Sequence, residues 1–233
     1  MSKAPIKISI IIPVLNEEAI LSHINEHLQS IKEQGHEVII VDGGSTDNTL
    51  MMAQEITDRV VISKAGRALQ MNNGAAIASG KILLFLHVDT FLPDNTIQII
   101  LDNYQKESYR RKNYWGRFDV RLSSSKYVYR LIEGFMNLRS CITSIATGDQ
   151  AIFIEKNLFN KVGQFPEIVL MEDIAISRQL KKIAKPVCIK QKVVSSSRRW
   201  ENNGVVATVL LMWKLRLYYF FGVSPKKLNQ LYY

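Results

Sequence analysis

The chain has 233 residues, of which 47% are apolar and 22% charged, proportions that fit one large globular domain rather than a disordered or fibrous chain. Thirty Lys and Arg against 21 Asp and Glu leave a net charge of +9, which excludes an acidic tail and directs attention to nucleic acid, an anionic membrane or a phosphate-rich small molecule. Two cysteines, Cys141 and Cys188, are too few for a disulfide framework or a Cys-based zinc site, and read as free thiols of a reducing, cytoplasmic compartment.

Residues 6–14, dense in Ile and Val, read as a buried strand, too short and too soon broken by Pro13 for a signal segment. Asn16 then caps a predicted helix with Glu17 and Glu18 in its first turn. Its apolar stripe is Ile20, Leu21, Ile24, Leu28 and Ile31, and Gly35 ends it. A strand at 37–41 leads into Asp42-Gly43-Gly44-Ser45-Thr46-Asp47 and a helix from about Asn48. A strand at 60–63, a helix at 68–78 and a fully apolar strand at 82–88 complete the regular part. This order predicts an α/β fold, a mostly parallel sheet with helices on both faces, whose ligands bind at the carboxyl ends of the strands. The residues there are Leu15-Asn16-Glu17, the 42–47 loop, 64–67 and 87–90, polar or charged in all four places.

The second half is less regular. A helix is expected at 94–104, a strand at 115–122, a helix at 125–140, a strand at 150–154 and a helix at 172–183. A last, amphipathic helix is expected at 204–221. Its apolar run 205–213 is interrupted by Lys214 and Arg216, short of the roughly 20 residues that a bilayer span needs. Its apolar face includes Val205, Leu211, Trp213, Leu215, Tyr218 and Phe221, and two readings are open. It rests on an anionic membrane as a peripheral contact, or it closes the sheet. The basic clusters Arg110-Arg111-Lys112, Lys181-Lys182, Arg198-Arg199 and Lys226-Lys227 are scattered, which argues against a nucleic-acid partner.

The 42–47 loop lacks the spacing of a dinucleotide or P-loop glycine motif, yet its glycines let backbone amides approach an anion, and Asp42 ends a buried strand at a cost that a ligand would justify. His87 and Asp89 are two apart at the end of the most apolar strand and leave it on one face. They hold a divalent cation, or His87 is a satisfied core histidine and Asp89 caps a turn. Glu172-Asp173 opens a helix. Neighbours there point about 100° apart, so one carboxylate is expected in a pocket, and the pair also reads as a plain dipole complement. Arg198-Arg199-Trp200 lies in a polar stretch, as a diphosphate clamp or a solvated basic loop.

Taken together, these segments resemble the family 2 glycosyltransferases of the GT-A fold over nearly the whole chain. Residues 10–18 resemble the family's opening strand and nucleotide loop. Val41-Asp42-Gly43-Gly44-Ser45-Thr46-Asp47 resembles its second, with Gly43 where a second aspartate is usual. Leu84-Phe85-Leu86-His87-Val88-Asp89 resembles the Asp-x-Asp segment, with His87 in the first acidic place, and Met171-Glu172-Asp173 the Glu-Asp motif. Ser196-Ser197-Arg198-Arg199-Trp200 resembles the Gln-x-x-Arg-Trp motif of processive members only in part, because Ser196 replaces Gln. Residues 66–72, Gly148-Asp149-Gln150, 197–201 and the Trp213-Lys214-Leu215-Arg216 tail resemble a bacterial subgroup labelled radical-SAM/selenodomain-associated transferases.

The resemblance implies a single domain over 1–233, with a nucleotide-sugar half at 1–92 and an acceptor half at 93–233. It implies a metal-dependent, inverting, non-processive transferase that takes a sugar from a UDP- or GDP-linked donor. The acceptor, a small molecule or a lipid-linked one, is left open. Pro13, Leu15, Glu17, Asp42, Arg67 and Arg199 are implied on the donor, Asp89 and His87 on Mn2+ or Mg2+, and Asp173 as catalytic base. The rival readings are a nucleotidyltransferase on a similar sheet, a nucleic-acid-binding module, and a catalytically degenerate nucleotide-sugar-binding protein.

Overall fold

A computed structural model of the chain describes residues 6–108 and 113–232; the basic triplet 110–112 lies outside them. Strand β1 (Ile8–Val14) is followed by helix α1 (Glu18–Glu33), β2 (Glu37–Asp42), α2 (Thr49–Ile56), β3 (Val60–Ile62), α3 (Arg67–Ile77) and β4 (Ile82–Phe85). All four strands of this first part are parallel, with β1 between β2 and β4 and β3 outside β2. The crossover helices explain the parallel order, since each returns the chain to the same end of the sheet. α1 lies on one face through Leu21, Ile24, Leu28 and Ile31, all buried, and α3 covers the other with Ala68, Met71 and Ala75.

β5 (Thr90–Phe91), α4 (Thr96–Ser108), β6 (Trp115–Leu122) and α5 (Tyr127–Thr143) follow. A single 3-10 turn (Gly148–Gln150) then precedes β7 (Ile152–Glu155), α6 (Lys156–Lys161), α7 (Glu172–Ile183), β8 (Val187–Ser195), α8 (Arg198–Asn203), α9 (Val205–Phe220) and α10 (Pro225–Tyr232). The sheet runs β3-β2-β1-β4-β7-β6-β8-β5. β7 is antiparallel to β4 and β6, β6 is parallel to β8, and β5 is antiparallel to β8. The expectation of a mostly parallel sheet is therefore corrected to a mixed one. The second half supplies strands through turns as well as crossovers, and only crossovers enforce parallel pairing.

β6 pairs with β7 over Trp115 and Gly116 alone, which leaves the rest of that edge open. α5 closes it with side chains. Asn137 accepts from Val120 N at 2.8 Å and donates to Val120 O at 3.0 Å, and Glu133 accepts from Leu122 N at 2.8 Å. An amide and a carboxylate stand in for the missing strand, because buried backbone groups require partners. In consequence α5 buries Tyr129, Glu133, Asn137 and Ser140 and turns Leu131, Phe135, Leu138 and Ile142 outward.

The last long helix departs from its expected amphipathic form. α9 is largely apolar, with Lys214 exposed and Arg216 half-buried as its charged residues. Thr208 and Leu215 are buried, whereas Val206, Leu210, Trp213, Leu217 and Phe220 are exposed, as is Phe221 just beyond its end. It packs on Met171, Ile174 and the Leu228 of α10, a small cluster of its own. Among the described residues no helix is long and apolar enough to cross a membrane.

Candidate active site

The loops at the carboxyl ends of β1 and β2 are knitted together before any ligand is considered. Asn16, in the left-handed region at φ 54°, donates its N–H to Ser45 Oγ at 2.9 Å and accepts from Thr46 N at 2.8 Å through Oδ1. Glu17 N donates to Thr49 Oγ1 at 2.8 Å, and Asn48 N to Glu18 Oε2 at 2.9 Å. Asp42 is buried and spends its carboxylate on its own loop, accepting from Gly44 N at 2.9 Å, Ser45 N at 3.0 Å and the Ser45 hydroxyl. Pro13 is half-buried in β1, and Leu15, 42% exposed, lies on the rim.

The structure also accounts for Gly43. Gln70 Nε2 bridges the ends of the two strands, donating to Val14 O and Val41 O, both at 2.8 Å. A Cβ at Gly43 would lie 3.1 Å from that nitrogen, so a larger residue displaces the bridge.

Electrostatics gather the separate loops into one rim. The Glu17 carboxyl is raised above its usual range, first by burial; Arg198 opposes this, Asp89 and Asp47 add to it, and Arg67 opposes it again. Residues following β2, β3, β4 and β8 thus act on one group that follows β1. Strand β4 ends at Phe85, short of the expected Val88. His87 to Thr90 form a turn instead, closed by Thr90 N on His87 O at 3.0 Å. His87 and Asp89 consequently take different partners. His87 Nδ1 lies 3.4 Å from Asp149 Oδ1, while Asp89 is half-buried beside Glu17. Among the described residues no hydrogen bond or ion pair engages the Asp89 carboxylate, and no group of three or more His, Cys, Asp or Glu gathers as a metal cage. An uncommitted carboxylate with acidic neighbours suits a hard divalent cation that keeps water and phosphate oxygens as its other ligands.

Beneath the rim lies a small pocket lined by Met71, Phe85, His87, Gly148, Phe165, Glu172 and Asp173, together with Ile152. Both acids of α7 face it, which corrects the expectation of one. Met171, buried and left-handed at φ 72°, turns the chain into the helix, whose first two residues line the pocket. Asp173 Oδ2 accepts from Gly148 N at 3.0 Å and Oδ1 from Ile174 N at 2.7 Å, bonds that fix the carboxylate and leave a lone pair on each oxygen. A Cβ on Gly148 would lie 2.2 Å from His87 Nε2, so only glycine lets the imidazole and the Asp173 contact coexist.

Glu172 is buried and forms a 3.6 Å ion pair with Arg67. Its carboxyl is nonetheless raised, by burial first and by Asp173 second, with Arg67 opposing. Burial alone would lower the Arg67 guanidinium, but Glu172, Tyr232, Asp149 and Asp173 outweigh it and the net shift is upward. Arg67 acts on both Glu17 and Glu172 and therefore joins rim and pocket.

Arg199 is held by the C-terminal helix. Its Nη2 donates to Tyr232 O at 2.8 Å and its guanidinium stacks 3.5 Å from the Tyr232 ring, so it ties α8 to α10, and Arg198 is the neighbour that acts on Glu17. Two more arginines that sequence reasoning did not place in the site reach Asp173. Arg139, on α5, is lowered to about 10 by burial and by Arg216, and Arg216, on α9, is lowered by burial; Asp173 opposes both shifts. The resemblance of the 213–216 tail to the subgroup was the one signal for Arg216. Nothing in the pattern around Arg139 marked it.

A nucleotide-type half-sheet whose loops carry an uncommitted aspartate, an arginine shared with an acid pair, and a hydrogen-bonded aspartate at a helix start defines an α/β, GT-A-like fold. Residues 9–161 match the family described as Glycosyl transferase family 2, and the chain belongs to that family. It is 31% identical over 167 residues to a PGL/p-HBAD biosynthesis glycosyltransferase of Mycobacterium bovis, a match covering 67% of this chain and 62% of that protein. The chain spans less than two-thirds of the length of that relative. Among solved structures, S. aureus TarS 1–349 in complex with UDP-GlcNAc superposes with a TM-score of 0.63 at 16% identity, covering 82% of this chain and 58% of TarS. The mannosyltransferase PcManGT from Pyrobaculum calidifontis, in complex with GDP-Man and Mn2+, gives 0.61 at 17%, covering 90% and 60%.

Proposed function

We propose that this chain is an inverting, non-processive glycosyltransferase that moves a sugar from a nucleoside-diphosphate donor to a hydroxyl acceptor. The observation that carries the reading is Arg67, which pairs with Glu172 at 3.6 Å and acts electrostatically on Glu17 at the rim. A donor diphosphate at that rim places its anomeric carbon towards Asp173. The mycobacterial relative's name and the donors held by TarS and PcManGT support the class.

In this reading Pro13, Leu15 and Glu17 line the nucleoside, and Asp42 shapes the loop that receives it. Asp89 would hold Mn2+ or Mg2+, which when bound supplies Lewis-acid neutralisation of the diphosphate. His87, paired with Asp149, positions the pocket wall. Asp173 takes the proton from the acceptor hydroxyl as the acceptor oxygen–anomeric carbon bond forms. The bond from that carbon to the diphosphate oxygen breaks, and its electron pair leaves with the nucleoside diphosphate. Arg67 and Arg198 stabilise the growing negative charge. The finer assignment to that subgroup rests on the sequence resemblance of residues 66–72, 148–150, 197–201 and 213–216 alone.

The test is a thermal-shift panel of nucleoside diphosphates and their sugars, with and without Mn2+. At a ligand concentration 100-fold above Kd the stabilisation is about 2.7 kcal/mol, or roughly 5–10 °C for a chain of this size. One nucleotide should give that shift, enhanced by Mn2+ in the wild type and not in Asp89→Asn. A panel with no shift for any diphosphate overturns the reading.

A further inference from the structure

Arg139 and Arg216 are not needed for the donor. Arg139 is half-buried, and its Nε and Nη2 are buried with no hydrogen-bond partner among the described residues. No hydrogen bond or ion pair engages Arg216 there either. Two half-buried guanidiniums that repel one another are costly unless an anion completes them. Packing brings the helix of Arg216 and the end of α5 to the acid pair. Leu215, which precedes Arg216, is buried against Met171 and Ile174, the residues that bracket Glu172 and Asp173, and Ile145, two residues past α5, joins that cluster.

The helices that carry these arginines also carry most of the exposed large apolar residues among those described. On α5, Leu131, Phe135, Leu138 and Ile142 are 67%, 72%, 58% and 74% exposed, at a spacing of four, three and four that makes one continuous stripe. On α9, Val206, Leu210, Trp213, Leu217 and Phe220 repeat the spacing. Such stripes are normally buried, and unpartnered ones of this size mark an interaction surface.

Charge decides the partner. Residues 204–232 contain no Asp or Glu, but include Lys214, Arg216, Lys226 and Lys227; Lys126 stands exposed at the start of α5, whose single acid, Glu133, is buried. A second copy across a two-fold axis would bring these like charges together. An anionic bilayer attracts them and receives the aromatic side chains at its interface.

We propose that the acceptor is a hydroxyl-bearing anionic lipid: α5 and α9 seat their apolar stripes in an anionic membrane, and Arg139 and Arg216 receive the lipid's anionic group beside Asp173. This rests on the transferase reading for the role of Asp173, but its test does not.

The full chain should co-sediment with phosphatidylcholine vesicles containing phosphatidylglycerol, at least roughly tenfold better than with phosphatidylcholine alone, and less so at high salt. The double variant Phe135→Ser, Trp213→Ser should lose about tenfold or more of that binding, with its melting and its nucleoside-diphosphate shift unchanged. A soluble short-chain phosphatidic acid should stabilise the wild type, and Arg216→Gln should lose that stabilisation while still binding vesicles. Arg139→Gln should do the same if it folds. Absence of vesicle binding, undiminished binding by the double variant, or a dimer that this variant abolishes would overturn the membrane surface. Equal stabilisation by inorganic phosphate would identify a soluble phosphorylated acceptor and overturn the lipid. A wild type that binds vesicles and the lipid phosphate but no nucleoside diphosphate would leave the membrane surface and the lipid site standing and remove the transferase reading, and with it the lipid's role as acceptor.

Discussion

Helices α1 and α5 are each about four turns long and cover the same sheet, yet they are built inside out relative to one another. α1 buries Leu21, Ile24, Leu28 and Ile31, whereas α5 buries Tyr129, Glu133, Asn137 and Ser140 and exposes its apolar stripe. The difference lies in what each helix meets. α1 rests on the face of β1 and β2, where Ile8, Ile10, Ile12, Val38 and Ile40 offer only apolar side chains. α5 runs along the open edge of β6, where backbone N–H and C=O groups require partners. A helix buries the residues that its neighbour can use, and what is left over faces outward. In the first half of the chain the leftover is charge, and in the second it is a sticky surface.

The sharpest way to separate the halves is chemical. Asp173→Asn keeps the shape of the acid pair and one of its two backbone contacts, since the amide nitrogen cannot accept, and it cannot take a proton. Transfer should fall by ~10²–10⁴, with the nucleoside-diphosphate thermal shift intact. Full activity in that variant would remove Asp173 as base. Next in size is a pair of packing changes. Leu28→Ala in α1 should cost about 2–5 kcal/mol in chemical denaturation, because a buried side chain leaves a cavity. Phe135→Ser in α5, at 72% exposure, should stay within about 0.5 kcal/mol. A costly Phe135→Ser would mean that α5 faces inward after all.

The first half was legible because period and burial agree there. Strands β1, β2 and β4 are buried almost throughout and helices α1 to α3 turn apolar residues to the sheet, and the rim followed from the rule that ligands sit at strand ends. The second half broke that agreement. β8 escaped notice because Lys190, Gln191 and Lys192 are consecutive and exposed, so neither alternation nor an apolar run marks it. The helical period of α5 was visible but not which side met the sheet, since that depends on an edge left open by β7, a pairing between distant segments. The choice of Arg199 over Arg198 failed to anticipate α8. On a helix the two arginines diverge by about 100°, and Tyr232, from the far end of the chain, claims the former.

The edge itself offers a smaller test. Asn137→Ala removes both partners of Val120 and should destabilise by about 1–3 kcal/mol, the cost of buried backbone groups left unpaired. Asn137→Asp should recover the acceptor half only. If Asn137→Ala is neutral, the side chain is not substituting for a strand.

The smallest expected effects distinguish two buried glutamates, one at each end of the sheet. Glu37, at the amino end of β2, accepts from the Ser9 hydroxyl, from Ser79 N at 2.8 Å and from Ser79 Oγ at 3.2 Å, with Arg59 3.4 Å away. Burial raises its carboxyl, but the Ser9 and Ser79 bonds and the charges of Lys7 and Arg59 outweigh this and hold it below 4.5. A depressed acid contributes stability above its unfolded value, and that contribution is lost as pH falls through the lower folded value. Glu172 is raised instead, by burial and by Asp173. It therefore binds its proton more tightly folded than unfolded, and costs stability as pH rises above 4.5 until its own folded value is passed. Glu37→Gln should thus melt below the wild type at pH 7, with the gap closing under acid conditions. Glu172→Gln should melt at or slightly above the wild type at pH 7, by under about 1 kcal/mol, with no advantage under acid conditions. Opposite signs would show that the acid at the structural end of the sheet is there for the fold while the one at the pocket is held against it. Equal signs would mean that the pocket carboxylate is a structural group like the other, and that its ion pair with Arg67 serves stability rather than the site.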